Sequence, residues 1–199
     1  VIQLLVATHN RGKQREFQAL LADWPVQIVF PQEIGLDLAV AEEGASFAEI
    51  AAHKAVAYAH AARLLTLADD SGLEVDALNG APGIYTARYA GPDANDRDRY
   101  QKLLRALEGV PWAARTARFR AAVALARPDG QVRIAEGVCE GIIALEAQGE
   151  TGFGYDPVFY LPDWGRTMAQ LGDSIKNQIS HRARAVQAAR AWLDDLLDI

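Results

Sequence analysis

Leu64-Leu65-Thr66-Leu67-Ala68-Asp69-Asp70-Ser71-Gly72-Leu73-Glu74-Val75-Asp76 carries an apolar run straight into two adjacent carboxylates and then into Ser-Gly. Further along the chain come the breakpoints Gly80, Pro82, Gly83 and Gly91. Leu64–Ala68 predicts a buried strand, with the acidic pair expected at its end. Within a strand neighbouring side chains point to opposite faces, but a turn at the strand end can present both carboxylates to one pocket. Carboxylate oxygens suit a hard cation such as Mg²⁺, which keeps several waters and takes one or two carboxylates plus substrate phosphates. Asp, Ser and Gly also favour plain turns. The stretch therefore gains a function only together with other parts of the chain.

Outward from this stretch, strands and helices alternate early and hairpins dominate the middle. Ile2–Thr8 predicts a buried strand, and Asn10 caps a helix from about Gly12 to Leu21 with Phe17, Leu20 and Leu21 on one face. Val26–Phe30 predicts a second strand. Ser46 and Glu49 form a capping-box pattern ahead of an alanine-rich helix to about Ala62. Asp93 to Leu107 predicts a helix with Tyr100, Leu103, Leu104 and Leu107 as its apolar stripe. Thr116–Ala126 alternates apolar residues with Arg118 and Arg120, and Pro128-Asp129-Gly130 turns it into Val132–Val138, a hairpin signal. Gly141–Leu145 adds a strand, and Ser180 caps a final helix to about Leu197. The order predicts an α/β fold with a mixed sheet.

The 199 residues suffice for a single domain spanning 1–199, with room for two lobes around a cleft. The net charge of −6, without a basic block, argues against binding nucleic-acid duplexes, which normally calls for a basic patch. A few cations and a metal can still make a local site for a small anion. The single Cys139 excludes an intrachain disulfide framework and a cysteine-rich metal site, and reads as a buried thiol in a strand. No apolar run approaches the roughly 18 residues that span a membrane. Ile2–Ala7 enters a strand without a basic leader, so a cytoplasmic protein with no membrane partner is expected.

Four further constellations carry chemistry. Thr8-His9-Asn10-Arg11-Gly12-Lys13 joins the first strand to the first helix, where unpaired N–H groups and the helix dipole favour phosphate. This is not a P-loop, because Gln14 stands where the metal-binding hydroxyl would be. Glu42-Glu43-Gly44 precedes the helix bearing Lys54, although glutamates before a helix also simply complement its dipole. His53 and His60 share a face of that helix and read as packing or surface residues. Gly152-Phe153-Gly154-Tyr155-Asp156-Pro157 offers two aromatics on which a base can stack, or two anchors of a core-facing loop. Lys176-Asn177-Gln178-Ile179-Ser180-His181-Arg182 puts cations at the start of the final helix, against its dipole. Such local conflict points to function.

Taken together, Thr-His-Asn-Arg-Gly-Lys, Ala-Asp-Asp-Ser-Gly-Leu, Gly-Ala-Pro-Gly-Ile-Tyr-Thr-Ala-Arg-Tyr, Phe-Gly-Tyr-Asp-Pro and Ile-Ser-His-Arg resemble the inosine triphosphate pyrophosphatase family in order and spacing. The resemblance covers essentially the whole chain. It departs from the family pattern at His9, usually a small residue, at Ile50, where an amide is usual, and at Ala41, a place that is often acidic. It implies an elongated mixed sheet flanked by helices, two lobes around a central cleft, and usually a homodimer. It further implies Mg²⁺-dependent hydrolysis of dITP, ITP and XTP to the monophosphate and pyrophosphate, which clears deaminated purines from the nucleotide pool.

Carried onto this chain, the family's roles give Asp70 as the carboxylate that activates water and holds Mg²⁺, with Glu42 as second metal ligand and Asp69 in support. Either Glu42 or Glu43 faces the metal. Lys13 serves both catalysis and phosphate binding. Thr8, Asn10 and Lys54, with His9, Arg11 and Gly12 in the same loop as Lys13, hold phosphates. Phe153, Gly154, Tyr155, Asp156, Lys176, His181 and Arg182 line the base pocket, with Ser71 nearby. Two alternatives stand beside this assignment. One is a Maf-type pyrophosphatase for pyrimidine or modified nucleotides, disfavoured by the base-pocket phrases. The other is a non-catalytic nucleotide-binding module, disfavoured by the intact carboxylate–lysine set.

Overall fold

The computed structural model describes residues 2–41 and 43–193. Its strands are β1 Ile2–Val6, β2 Val26–Val29, β3 Leu65–Val75, β4 Thr116–Ala126, β5 Val132–Ile143, β6 Phe159–Leu161 and β7 Arg166–Thr167. Its helices are α1 Arg11–Leu20, α2 Phe47–Ala62, α3 Asp96–Ala106, α4 Met168–Leu171, α5 Asp173–Ile179 and α6 His181–Arg190. The strands form one sheet in the order β2-β1-β3-β4-β5-β6-β7. β1 runs parallel to β2 and β3, whereas β6 is antiparallel to both β5 and β7, so the sheet is mixed as the element order predicts.

The chain divides into two compact units. One holds the residues up to Asp70, Ala121–Gly137 and those from His181 onward. Its core joins Leu4, Val6, Phe17, Leu21, Leu67 and Val123 to Val186 and Ala189 of α6. The other holds Ser71–Arg120 and Val138–Ser180, and buries Leu73, Val75, Leu103, Leu107, Phe119, Tyr155 and Phe159. Cys139 is buried in that second core and takes part in no disulfide.

Four local expectations change. Asp69-Asp70-Ser71-Gly72 is not a turn at a strand end but the middle of β3, which pairs on one edge with β1 and on the other with β4. The pairing with β1 ends at Leu67, and β3 runs on through the acidic pair as one strand, with Leu67, Ala68, Leu73 and Val75 buried on either side of it. Val132–Val138 and Gly141–Leu145 merge into β5. Gly141 belongs inside that strand because a Cβ there would stand 2.6 Å from Phe159 Cζ. Lys176 lies inside the short α5, with Ser180 separating α5 from α6. The capping box at Ser46 is also modified: Ser46 Oγ accepts the Glu49 N–H, but Glu49 Oε2 accepts from Ala45 N rather than Ser46 N. Leu197, the expected end of the last helix, lies outside the described residues.

One glycine in β5 fixes where α6 begins. A Cβ on Gly137 would stand 2.1 Å from the His181 carbonyl oxygen and 2.5 Å from Ala185 N. Both are backbone atoms and cannot swing aside, so Gly137 lets the first turn of α6 press directly on β5. Gly137→Ala should therefore destabilise the protein by about 1–3 kcal/mol, the usual cost of overpacking. A urea unfolding curve checks this, and a midpoint equal to that of the unsubstituted protein would show that α6 retreats at no cost.

Candidate active site

The first group of site residues is built on the β1–α1 connection. β1 ends at Val6, and Thr8 is buried with its Oγ1 accepting the Asn10 N–H at 3.2 Å. Asn10 is the N-cap, and its side chain accepts the Lys13 N–H at 3.0 Å. Gln14 donates its side-chain amide to the Thr8 carbonyl at 3.0 Å. The connection is thereby held while His9, Asn10 and Arg11 remain exposed. The head of a ten-residue helix with no acidic residue in its first turn stands here, a setting that favours an anion.

Lys13 reaches from α1 to β3, donating to Asp69 Oδ1 at 3.1 Å, with Asp69 Oδ2 at 3.0 Å. Arg182, from the first turn of α6, approaches the same carboxylate and donates through Nε and Nη2 to Asp69 Oδ2, both at 3.1 Å. Its Nη1 binds Glu16 Oε2 of α1. Asp69, Glu16 and Arg182 are all buried. Burial opposes ionisation of Asp69, but Lys13, Arg182 and Lys54 outweigh it and hold the carboxyl well below the usual range. For Lys13 burial is the largest influence and lowers its pKa, with Arg182 and Lys54 acting the same way and Asp69 and Asp70 opposing. Burial likewise opposes the charge on Arg182, yet Asp69 and Glu16 raise its pKa above the ordinary value.

Asp70 follows Asp69 in β3 and is half-buried. Its carboxylate oxygens, unlike thiols or imidazoles, are donors of the type Mg²⁺ selects, so the residues present fit that ion. Among the described residues no group of three His, Cys, Asp or Glu side chains is gathered. Glu42 lies outside the described residues, and the Glu43 carbonyl oxygen lies 3.3 Å from His53 Nδ1.

The second group is assembled on the Gly149–Pro157 loop. Asp156 is buried, and its Oδ2 accepts the Phe153 N–H at 3.0 Å and the Lys176 ammonium at 2.5 Å. Lys176 also stands 4.5 Å from the centre of the Phe153 ring. The expected pair of stacking aromatics divides its labour. Phe153 is half-buried, whereas Tyr155 is 2% exposed, sits in the core and donates its hydroxyl to the Thr86 carbonyl at 2.9 Å. Burial pushes the Tyr155 pKa up. The Gly154 N–H is accepted by Asp96 Oδ2 at 2.7 Å.

The structure thus brings Phe153, Asp156 and Lys176 together, and separately Lys13, Asp69 and Arg182. Arg182, expected among the base-pocket donors, gives all three of these hydrogen bonds to Asp69 and Glu16. His181 is buried beside it in α6. Glu16, Tyr58, Thr86 and Asp96 escaped the sequence analysis. Glu16 alone left a signal there: an acid beside the buried Phe17 and three residues from Lys13, hence on Lys13's side of the helix. His9 Nε2 lies 3.2 Å from the Tyr58 hydroxyl, a contact between residues 49 apart that no local pattern announces.

The depressed pKa of Asp69 has a consequence for stability. The folded state keeps Asp69 ionised where the unfolded chain already takes up a proton, near pH 3.9 for an ordinary Asp. Its contribution is therefore present above that value and lost as pH falls toward the folded-state pKa. Asp69→Asn should flatten the acid limb of Tm against pH between about pH 5 and 3. A slope equal to that of the unsubstituted protein would mean that other carboxyls set this limb.

A family model described as the Ham1 family matches residues 4–192. A dITP/XTP pyrophosphatase of Desulforamulus reducens is 49% identical over 195 residues, covering 98% of this chain and 97% of its own. One of Geobacillus kaustophilus is 50% identical over 184 residues, covering 92% and 90%. Among solved structures, a HAM1 protein from Coxiella burnetii gives a TM-score of 0.87 at 39% identity over the whole of both chains. The Staphylococcus aureus Ham1 protein gives 0.86 at 40% identity, covering 98% of this chain and 99% of that one. With the match running from β1 past the end of α6, the chain belongs to the Ham1 family.

Proposed function

We propose that this protein is a nucleoside triphosphate pyrophosphatase. It hydrolyses dITP, ITP and XTP to the monophosphate and pyrophosphate, and so removes deaminated purines from the nucleotide pool. The observation that carries the proposal is one cluster: a helix head bearing Lys13, tied to the Asp69–Asp70 segment of β3. The names of relatives 44–50% identical over nearly their full length support the substrate class. A cytoplasmic homodimer completes the proposal. Among the described residues no helix is long and apolar enough to cross a membrane.

In the proposed reaction a water oxygen attacks the α-phosphorus, the bond to the bridging α–β oxygen breaks, and pyrophosphate leaves. Asp70 accepts the proton of that water. Asp69 cannot share the task easily, because its carboxylate is already bound by Lys13 and Arg182 and resists protonation. Lys13 and Lys54, with Thr8, Asn10 and the N–H groups of Arg11 and Gly12 at the helix head, take up the negative charge of the phosphates. Asp70 and Glu42 would hold Mg²⁺, which supplies charge neutralisation at the phosphate oxygens when bound. Phe153, with Lys176 held over its ring by Asp156, supports the assignment of a base subsite. Gly154, Tyr155, Ser71, His181 and Arg182 belong to the same proposal, Tyr155 and Arg182 by anchoring their neighbours.

The direct test is pyrophosphate release from dITP and XTP, with ATP and dTTP as comparison substrates and Mg²⁺ varied. Release from dTTP but not from dITP would overturn the assignment. Asp70→Asn keeps the side-chain size but cannot take the proton. Its kcat should fall at least about a hundredfold, the lower range for losing a general base. Retention of a tenth of the activity would displace Asp70 from this role.

Inorganic tripolyphosphate separates the two subsites, since it offers phosphates without a base. As competitive inhibitors, dITP analogues and tripolyphosphate should both weaken in Lys13→Ala. Phe153→Ala should weaken only the analogues, by about 1–3 kcal/mol for a lost stacking contact. Equal weakening of both ligands in Phe153→Ala would move that residue out of the base subsite.

A further inference from the structure

His9 and Tyr58 meet where two parts of the first unit need to be registered with each other. Tyr58 lies on α2, is 2% exposed, and donates its hydroxyl to the Leu38 carbonyl at 2.8 Å. A phenol carries one hydrogen, and a carbonyl can only accept. In its 3.2 Å contact with His9 Nε2, the Tyr58 oxygen is therefore the acceptor, and the hydrogen must reside on Nε2. Burial, with Asp37 next in weight, raises the Tyr58 pKa, so the hydroxyl keeps its hydrogen across the physiological range.

The chain thus runs His9 Nε2–H to Tyr58 Oη–H to Leu38 C=O. Its two ends are functionally distinct. His9 sits between Thr8 and Asn10 in the proposed phosphate loop. Leu38 sits four and five residues before Glu42 and Glu43, in a segment whose described residues from 36 to 44 form no helix or strand. Backbone without ladder partners takes its position from side-chain anchors. Tyr58 is one such anchor, rooted in a sixteen-residue helix.

We propose that Tyr58 is a positioning residue: it registers the phosphate loop against the acidic segment and fixes His9 as its Nε2–H tautomer. Tyr58 touches no substrate. It acts through His9 and Leu38, and small misplacements of binding groups are costly to a reaction that depends on orientation. The kinetic part rests on the pyrophosphatase function proposed above; the tautomer and the anchoring do not.

The test uses the full chain. Nitrogen-15 spectra of the histidines in the free protein should place the His9 hydrogen on Nε2. Tyr58→Phe, which removes one oxygen from a buried ring, should release His9 to a mixture of tautomers and speed amide exchange across residues 36–45. KM for dITP should rise about two- to tenfold, the range for one lost hydrogen bond, with kcat changing less than KM. His9→Ala should raise KM similarly. His9→Gln, which restores an N–H donor at the Nε2 position, should recover part of that rise. A hydrogen on Nδ1 in the unsubstituted protein overturns the proposal, and so does unchanged exchange across 36–45 in Tyr58→Phe. If both structural readouts hold while no purine triphosphate is hydrolysed, the anchor stands and the proposed function falls.

Discussion

A buried guanidinium governs the first unit. Arg182 is 2% exposed and is bound on one side by Asp69 and on the other by Glu16. Taking such a cation out of water costs several kcal/mol, which only well-placed opposite charges offset. Asp69 comes from β3, Glu16 from α1 and Arg182 from α6, so the three elements must meet in one arrangement or leave a charge stranded. Lys13 brings the set to two cations and two anions, and its ammonium closes the second side of the Asp69 carboxylate. Gly137 serves the same end, because only the lack of a Cβ lets α6 come close enough to β5 to deliver Arg182.

This arrangement also separates two adjacent, chemically identical residues. Asp69 is buried and locked as an ion by neighbouring cations, while Asp70, one step along β3, is only half-buried. A carboxylate that resists protonation makes a poor proton acceptor but a good electrostatic anchor. The proposed proton-accepting role of Asp70 is supported by what holds Asp69. It does not depend on the order of the two residues in the sequence.

Much of this is legible in the chain, and the rest is hidden for physical causes. The helix heads are readable because caps act locally: Asn10 and Ser46 both cap as their types predict, even though Glu49 closes on Ala45 N rather than on Ser46 N. The acidic run reads as a turn because Asp, Ser and Gly favour turns when considered alone. Its place inside the long strand β3, between buried apolar residues, overrides that preference, and no local residue reports it. Charges at the start of α6 are recognisable as a conflict with the helix dipole, but their resolution is not. Arg182 finds Asp69 113 residues away and Glu16 166 residues away. The Tyr155 hydroxyl and the Asp96 carboxylate fail to stand out for the same reason, since each acts only after residues 69 and 58 positions apart have met.

The second unit reuses the device of the first on a smaller scale. Asp156 is buried and binds a buried lysine, as Asp69 binds a buried arginine. Here the carboxylate also takes the Phe153 N–H, so the ion pair shapes the loop that carries the half-exposed aromatic. The geometry leaves no room at Gly152: its φ of +77° suits glycine, and a Cβ would stand 2.1 Å from Asp156 Oδ2. Glycine is thus required at 152 both by its backbone and by the carboxylate it must admit. The phrase Gly152-Phe153-Gly154-Tyr155-Asp156 is then a set of linked demands, in which Asp156 turns the loop and Lys176 neutralises it. Tyr155 roots it in the core, and Phe153 is left half-exposed with a cation fixed above its ring. In the proposed base subsite, a half-exposed aromatic ring with a cation held over it favours planar ligands bearing acceptor oxygens, the chemical class to which the 6-oxo purines belong.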